Sequence, residues 1–573
     1  AIPLPLDPEA RVMTVSPARN SGEKIDENGY SGQLDWDLGF GELTSITAYR
    51  NWKARRNQDI DFTAVDRTYR DGYRLGFETF TQEARLHGEA GKLDWLVGGF
   101  YLDEKLRLND RVRFGAQSAL YADSLAVGLS ANALPGLTTG GQIFGSFPQL
   151  STQLATPGFR PNIIGSVYLL SQGVNLLTAS APQRAAYDAI AGALNAARPV
   201  DGSGQQADDW GTDTQSWSLF THNIYDLSDK VSLTVGARFN HEEKDMSATL
   251  LAAAPFCDAL RSSTILPLVI GAQASTPLAS SLAALACNPA VNNLQNGAYA
   301  DSTEENEWSG VASLAFNPSD DMMLFATYSR GYKAGGFNLD RSGFQVLPTT
   351  TVKRTTDDLQ FKPEFVDNYE LGLKWRPFDR ATLNATAFYE SIEDYQANAF
   401  TGFNFVTFNV PKAVSRGIEL EMGYRPVEGL TLQSGAVFNE AFFDSAVTAG
   451  SETLPAGTRM AHAPRYAVTG SATYEHAVSS KLTGLVYVDG RWNSAYKTQI
   501  LGRNPVTDND SYAIFNARAG IRHELGWSIE AFVSNLTDKF YHLHGFAPPE
   551  QPGTFSVYPS APRTFGVTLR AEF

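Results

Sequence analysis

The stretch PRTFGVTLRAEF, Pro562 to Phe573, sets the fold. Counted back from the end, Phe573, Ala571, Leu569, Val567 and Phe565 are all apolar. The interleaved Glu572, Arg570, Thr568, Gly566 and Thr564 are polar or small. Period two without error is a β-strand with two unlike faces. An apolar face of this kind suits a strand against lipid as well as one against a core. Repetition elsewhere in the chain separates the two cases.

The same alternation returns throughout. Hairpins are expected at 30–40 with 43–54, 77–89 with 93–106, and 214–227 with 231–243. Five more follow: 307–316 with 322–332, 366–375 with 381–393, 415–424 with 430–443, 464–477 with 482–496, and 512–522 with 527–536. The closing strand brings the expected total to about 17. In one of them Val231, Leu233, Val235, Ala237 and Phe239 alternate with Ser232, Thr234, Gly236, Arg238 and Asn240. The turns inside hairpins are short, and the connections between hairpins are long. The longest span Arg107 to Thr212 and Lys244 to Glu305, and a short helix is expected in each, after Ser180 and after Thr276-Pro277. Residues 1–29 read as an irregular segment on the long-loop side.

Tight turns on one side, long loops on the other, and strands longer than those of soluble sheets form the pattern of an outer-membrane barrel. Trp95, Trp375, Tyr424 and Trp527 lie near short turns, where an interfacial aromatic girdle belongs. Polar residues such as Glu370, Lys374, Glu419, Glu421, Asn516 and Arg518 would then face a wet bore. The rival fold is a soluble sandwich exposed on one side.

Composition narrows function. Hydrophobic residues make up 43% of 573, too many for a disordered chain. Net charge is −16, which argues against a nucleic-acid partner. No apolar run approaches the length of a transmembrane helix. HExxH, GxSxG, the P-loop and GxGxxG are absent, so no catalytic residue, metal centre or cofactor is expected. The N-terminus AIPLPLDPEARV has no signal-peptide pattern, so a leader was removed or the chain starts partway through a longer protein. The first strand runs in the same direction as the last. This predicts an N-terminal portion beyond this sequence, roughly five strands if the parent has about 22.

The order and spacing of several motifs resemble the barrel of TonB-dependent outer-membrane receptors. They are GELTSITAYRNW (Gly41 to Trp52), YSRGYKAGGFN (Tyr328 to Asn338), PEFVDNYELGLKW (Pro363 to Trp375), SRGIELEMGYRP (Ser415 to Pro426), FVSNLTDKFY (Phe532 to Tyr541) and the terminal TFGVTLRAEF. The resemblance implies an all-β transmembrane antiparallel barrel of the 22-stranded plugged type. It also implies uptake of a scarce small-molecule ligand such as a siderophore, vitamin or saccharide. The energy-transducing TonB complex would act through a plug that this chain does not contain. Outer-membrane lipid, lipopolysaccharide and the barrel assembly machinery are the other implied partners. Phe573 matches the terminal aromatic that the family uses as an assembly signal. A passive porin-like channel is the alternative function.

Candidate ligand contacts are few. Arg330, Tyr332 and Lys333 lie where a strand enters the outer loops, and could meet an anionic ligand or pair with a neighbouring acid. His542 and His544, two apart, should point the same way toward a metal chelate, or form a polar rim facing water. Cys257 and Cys287, the two cysteines of the chain, share one loop and are expected to form a disulfide, two buried thiols being the alternative.

Overall fold

The computed structural model describes residues 8–11, 15–62, 64–118, 180–181, 201–202, 206–255, 257–258, 293–344, 352–400, 405–449, 452–500, 505–548 and 555–572. One 17-stranded sheet dominates them. Its strands in chain order are β1 (Gly22–Asp37), β2 (Glu42–Asp59), β3 (Thr68–Ala90), β4 (Leu93–Phe114), β5 (Gln206–Ser228), β6 (Val231–Ala252), β7 (Gly297–Ser319) and β8 (Met322–Lys333). Then come β9 (Glu364–Phe378), β10 (Ala381–Phe400), β11 (Phe405–Tyr424), β12 (Leu430–Phe443), β13 (Tyr466–Ala477), β14 (Leu482–Asn493), β15 (Tyr512–His523), β16 (Trp527–Ser534) and β17 (Thr564–Ala571). Each pairs antiparallel with the next, a simple meander.

The two faces of the sheet differ along the whole meander, and β6 shows why the strands end where they do. Val231, Leu233, Val235, Ala237 and Phe239 share one face, in register with Phe316, Leu314, Ala312, Gly310 and Trp308 of β7. Above them the same face turns polar: His241, Glu243, Asp245, Ser247 and Thr249. The opposite face turns the other way. Ser232 to Lys244 are mostly polar, and then Met246, Ala248 and Leu250 are buried at 2%, 5% and 0% exposure. The outward face therefore turns polar from residue 241, and the inward face turns apolar from residue 246, a few residues higher on the strand. Residues 231–239 form an apolar band of the length a tilted transmembrane strand requires, about nine to eleven residues. Beyond it the strand stands in water, where burying apolar groups inward is again the favourable arrangement.

This exchange corrects the expected boundaries. Residues 107–114, 206–212, 244–252 and 297–305, expected in loops, are strand, and β1 starts at Gly22 rather than near residue 30. Two outer connections, 60–67 and 401–404, are short for the same reason. The helices expected after Ser180 and after Thr276-Pro277 fall almost entirely outside the described residues, as does Phe573. Cys257 is fully buried, whereas Cys287 lies outside them too.

Aromatic residues mark the upper margin of the band. Tyr30 stands opposite Tyr49, which stands opposite Phe80. Tyr101 faces Trp217, Phe239 faces Trp308, Tyr328 faces Tyr369, Tyr369 faces Tyr389, and Phe438 faces Tyr466. Near the short turns Trp375 and Tyr424 lie on the same face, opposite Leu383 and Leu432. Such paired rows form where rings straddle an apolar and a polar phase.

Which face is concave follows from one connection. Between β8 and β9 the segment 334–363 carries Arg341, bound to Asp208 of β5, and Asn338, whose side chain exchanges hydrogen bonds with the backbone of Thr407 on β11. Only on the inside of a curved sheet can one short segment reach both. No pairing joins β1 to β17 among the described residues. Their outer ends are linked all the same. Arg11 pairs with Asp538 at 2.7 Å and lies over Phe540, and Phe62 packs edge-on against Phe546 with centroids 4.7 Å apart.

Candidate ligand site

Two assemblies shape the outer mouth. The first is the inward-folded segment between β8 and β9. Phe337, Phe344 and Leu359 pack on Leu108, Trp210, Met246, Ala248 and Leu250, the inward apolar surface of β4 to β6. Within it Arg341 and Asp208 are 1% and 0% exposed. The guanidinium donates to both carboxylate oxygens, at 3.0 Å and 2.5 Å, and to Asn296 Oδ1 at 3.0 Å. Closer to the membrane, Lys244 Nζ donates to Gly335 O at 2.9 Å, and the Gly335 amide donates to Glu305 Oε1 at 2.9 Å. The neighbouring Asp340 accepts from the Ser342 amide and hydroxyl, yet burial raises its pKa above the ordinary carboxylate value. These contacts hold the segment across the bore rather than in solvent.

The second assembly joins three outer connections. His462 follows β12, Tyr496 follows β14, and His544 lies in a small hairpin, His542–Phe546 with Ser556–Pro559, between β16 and β17. The rings of His462 and His544 stack with centroids 5.5 Å apart, and His462 Nε2 is 3.3 Å from His544 Nδ1. Tyr496 OH is 3.1 Å from Tyr512 OH, and Tyr512 stacks on Tyr541 at 4.4 Å. Burial, with the Tyr512 hydroxyl, pushes the Tyr496 phenol well above its ordinary value. The cluster gathers stacked rings, two imidazoles and two hydrogen-bonded phenols, groups that can meet a ring-bearing or chelating ligand; His462 is exposed, Tyr496 and His544 are half-buried and Tyr512 is buried.

Both imidazoles have pKa values held below the ordinary 6.5, chiefly by burial. A base depressed in the folded state binds fewer protons folded than unfolded. The cluster is thus fully stabilised above about 6.5 and loses stability as pH falls through that value. Proteolytic cleavage of the outer connections should accelerate between pH 7.5 and 5.5 in the parent. A His462→Phe, His544→Phe pair should show no such acceleration.

The expected contacts fare unequally. Arg330 shares the register face of Tyr328 and the apolar band, not the concave face. Its guanidinium pairs with Asp367 at 3.0 Å, and Asp367 also accepts from Tyr328 OH. Strand parity places Arg330 on the face of the apolar band. Tyr332 stacks on Phe365 at 6.4 Å, and Lys333, exposed, ends β8 opposite Glu364. His542 and His544 do not point together, because the hairpin register slips between them. His542 Nδ1 donates to Thr507 O at 3.0 Å, while His544 meets His462. His462, Tyr496 and Tyr512 escape a sequence reading because only tertiary folding brings them together. No cluster of three or more metal-ligating side chains occurs among the described residues.

A meander with an outward apolar band, aromatic margins and a mouth crossed by folded connections defines a receptor-type barrel. A family model described as TonB dependent receptor-like, beta-barrel matches residues 15–536, and the chain belongs to that family. It is 23% identical over 281 residues to the ferric-pyoverdine M114 receptor PbuA of Pseudomonas sp. strain M114, covering 48% of this chain and 30% of that protein. It is 24% identical over 262 residues to the ferrioxamine receptor of Yersinia enterocolitica, covering 44% and 32%. The chain thus matches about a third of the length of these relatives. Among solved structures, the ferric yersiniabactin uptake receptor FyuA from Yersinia pestis superposes with a TM-score of 0.61 at 15% identity, covering 96% of this chain and 61% of that one.

Proposed function

We propose that this chain is the membrane barrel of a TonB-dependent outer-membrane receptor that takes up a scarce chelated ligand of the siderophore class, and that it acts as a transporter rather than an enzyme. The observation that carries the reading is the inward fold of residues 334–344 and 352–363, pinned by Arg341–Asp208 and seated on an apolar surface. Seated there, the segment gives the mouth a fixed surface on which a ligand can dock. A receptor needs a positioned surface there. The names of the relatives support the siderophore class; the loops themselves encode no ligand. In this reading TonB would supply the energy for uptake, and the terminal Phe573 would serve barrel assembly.

The test is uptake of radiolabelled iron, offered as hydroxamate, catecholate and phenolate chelates, by iron-starved cells expressing the whole gene product. Accumulation of at least one chelate, abolished by a proton-gradient uncoupler, is expected. Uptake of small solutes that ignores the uncoupler would instead favour the porin-like alternative.

A further inference from the structure

Above the aromatic row, the convex face carries two sectors of unlike charge. On β2 and β3, Lys53, Arg55 and Arg74 are exposed, and Arg55 stands directly opposite Arg74. On β6 and β7, Glu243, Asp245 and Glu304 are exposed, and Glu243 stands directly opposite Glu304. Between the sectors opposite charges already meet: Arg107 pairs with Asp213 and Arg111 with Asp209, and Lys105 stands opposite the same Asp213. Beyond them they meet again, Arg330 with Asp367 and Arg416 with Glu440. Among the described residues the three cations enter no ion pair, and of the three acids only Glu304 has one, with His241 at 3.9 Å. Like charges directly opposite across strands are destabilising, so each sector holds a pair that the other would neutralise. The heights agree. Lys53 and Arg55 stand four and six residues above Tyr49, and Arg74 six above Phe80. Glu243 and Asp245 stand four and six above Phe239, and Glu304 four above Trp308. In both sectors this is about 14 Å and 20 Å along the strand from the aromatic margin.

A bilayer holds every copy of a barrel upright and at one depth, so sectors of unlike charge at equal height can face each other between two copies. The band beneath each sector suits such a contact. Below the cations, Thr47 and Gln82 stand opposite each other on the outward face. Gln82 Nε2 donates to Ser45 Oγ at 3.0 Å, and its Oε1 accepts from the Thr47 hydroxyl. Polar groups in hydrocarbon are costly and serve as contacts between membrane-embedded surfaces. Below the acids, Ala237 stands opposite Gly310, and Ala312, Ala326 and Ala387 line a groove of about 660 Å³. Small residues let a neighbour approach closely. The angle between the sectors sets the number of copies. Their centres lie four strands apart, about 65° of the circumference in a barrel of about 22 strands. A head-to-tail ring of three closes when the two faces of each copy are about 60° apart.

We infer that the β2–β3 face of one copy docks on the β6–β7 face of the next, Lys53, Arg55 and Arg74 meeting Glu243, Asp245 and Glu304, so that three copies close a ring in the membrane plane. The inference rests on the proposed reading of the chain as an outer-membrane barrel.

The whole gene product, carrying a single dye and reconstituted into neutral phosphatidylcholine vesicles, is the material for the test. Copies per complex are counted by single-molecule photobleaching, and insertion is scored separately by heat-modifiable electrophoretic mobility. In about 0.1 M salt the parent should bleach in three steps. In about 1 M salt, where screening shortens from about 10 Å to about 3 Å, the three-step class should shrink about tenfold. The variant Lys53→Glu, Arg55→Glu, Arg74→Glu should lose that class at low salt, and so should Glu243→Lys, Asp245→Lys, Glu304→Lys. All six substitutions together exchange the signs, restore complementarity and should restore three steps. Three steps that persist in both triple variants would overturn the inference, because another face would then join the copies. One or two steps in the inserted parent would overturn it and leave the barrel reading intact. One step in vesicles doped with diphosphoryl lipid A, with the lipid retained by the parent and lost by the cation variant, would overturn it in favour of lipid as the occupant. Failure of the parent to insert would overturn both.

Discussion

Asp208→Leu should release the segment that crosses the mouth. The substitution leaves the Arg341 guanidinium, 1% exposed, without its carboxylate. Stranding one member of a buried ion pair typically costs about 3–5 kcal/mol. The loss falls on residues 334–344 and 352–363 and the apolar surface beneath them, because the sheet is held by its backbone ladders; in β6 the Leu251 amide, which donates to Asp208 Oδ1 at 3.2 Å, also loses its acceptor. Hydrogen exchange is the measure. The amides of Asn338, donating to Leu359 O, and of Gly343, donating to Asp340 O, should lose protection while those of β7 and of β6 below Leu251 keep theirs. Asp208→Leu combined with Arg341→Met should recover most of the protection, since apolar replacements of similar volume restore packing without a stranded charge. Unchanged protection in the single variant would mean that apolar packing alone holds the segment. Ligand affinity should fall with the protection, because the mouth surface loses its position.

Val235→Arg should be far more costly than Thr234→Arg, although the two are neighbours. Val235 is 45% exposed and sits at the centre of the apolar band, while Thr234 lies on the concave face opposite Ile224. An arginine on the lipid face near the bilayer midplane costs roughly 2–4 kcal/mol, whereas bore positions tolerate charge. Urea titration of refolding into vesicles should place the two variants that far apart. Equal costs would mean that the convex face does not meet hydrocarbon.

Sequence alternation revealed the strand set because a bilayer imposes period two on every strand that crosses it. Val231 to Phe239 carries that signal without error. It failed at 244–252 for a definite physical reason. There the solvent changes from hydrocarbon to water, so Met246, Ala248 and Leu250 turn inward while Glu243 and Asp245 turn outward. A reader following one polarity rule sees the pattern stop and calls a loop. The site was less legible. Arg330 looked like a mouth residue from its place at the end of a strand, and parity alone, available from Tyr328 and Leu324, would have assigned it outward. His544 was identified, but its partner is His462, 82 residues away, not His542. No local spacing encodes such a contact.

Residues 231–239 present their odd-numbered side chains to hydrocarbon, the outward face turns polar from residue 241, and the inward face turns apolar from residue 246. Single nitroxide labels placed in turn from 231 to 250 in vesicles, read for collision with oxygen and with a water-soluble nickel chelate, test this arrangement directly. Oxygen accessibility should peak at 231, 233, 235, 237 and 239, then give way to nickel accessibility at 243, 245, 247 and 249, with 246, 248 and 250 shielded from both. Odd positions below 241 that are shielded from oxygen would place those side chains in a packed protein interior and contradict the account.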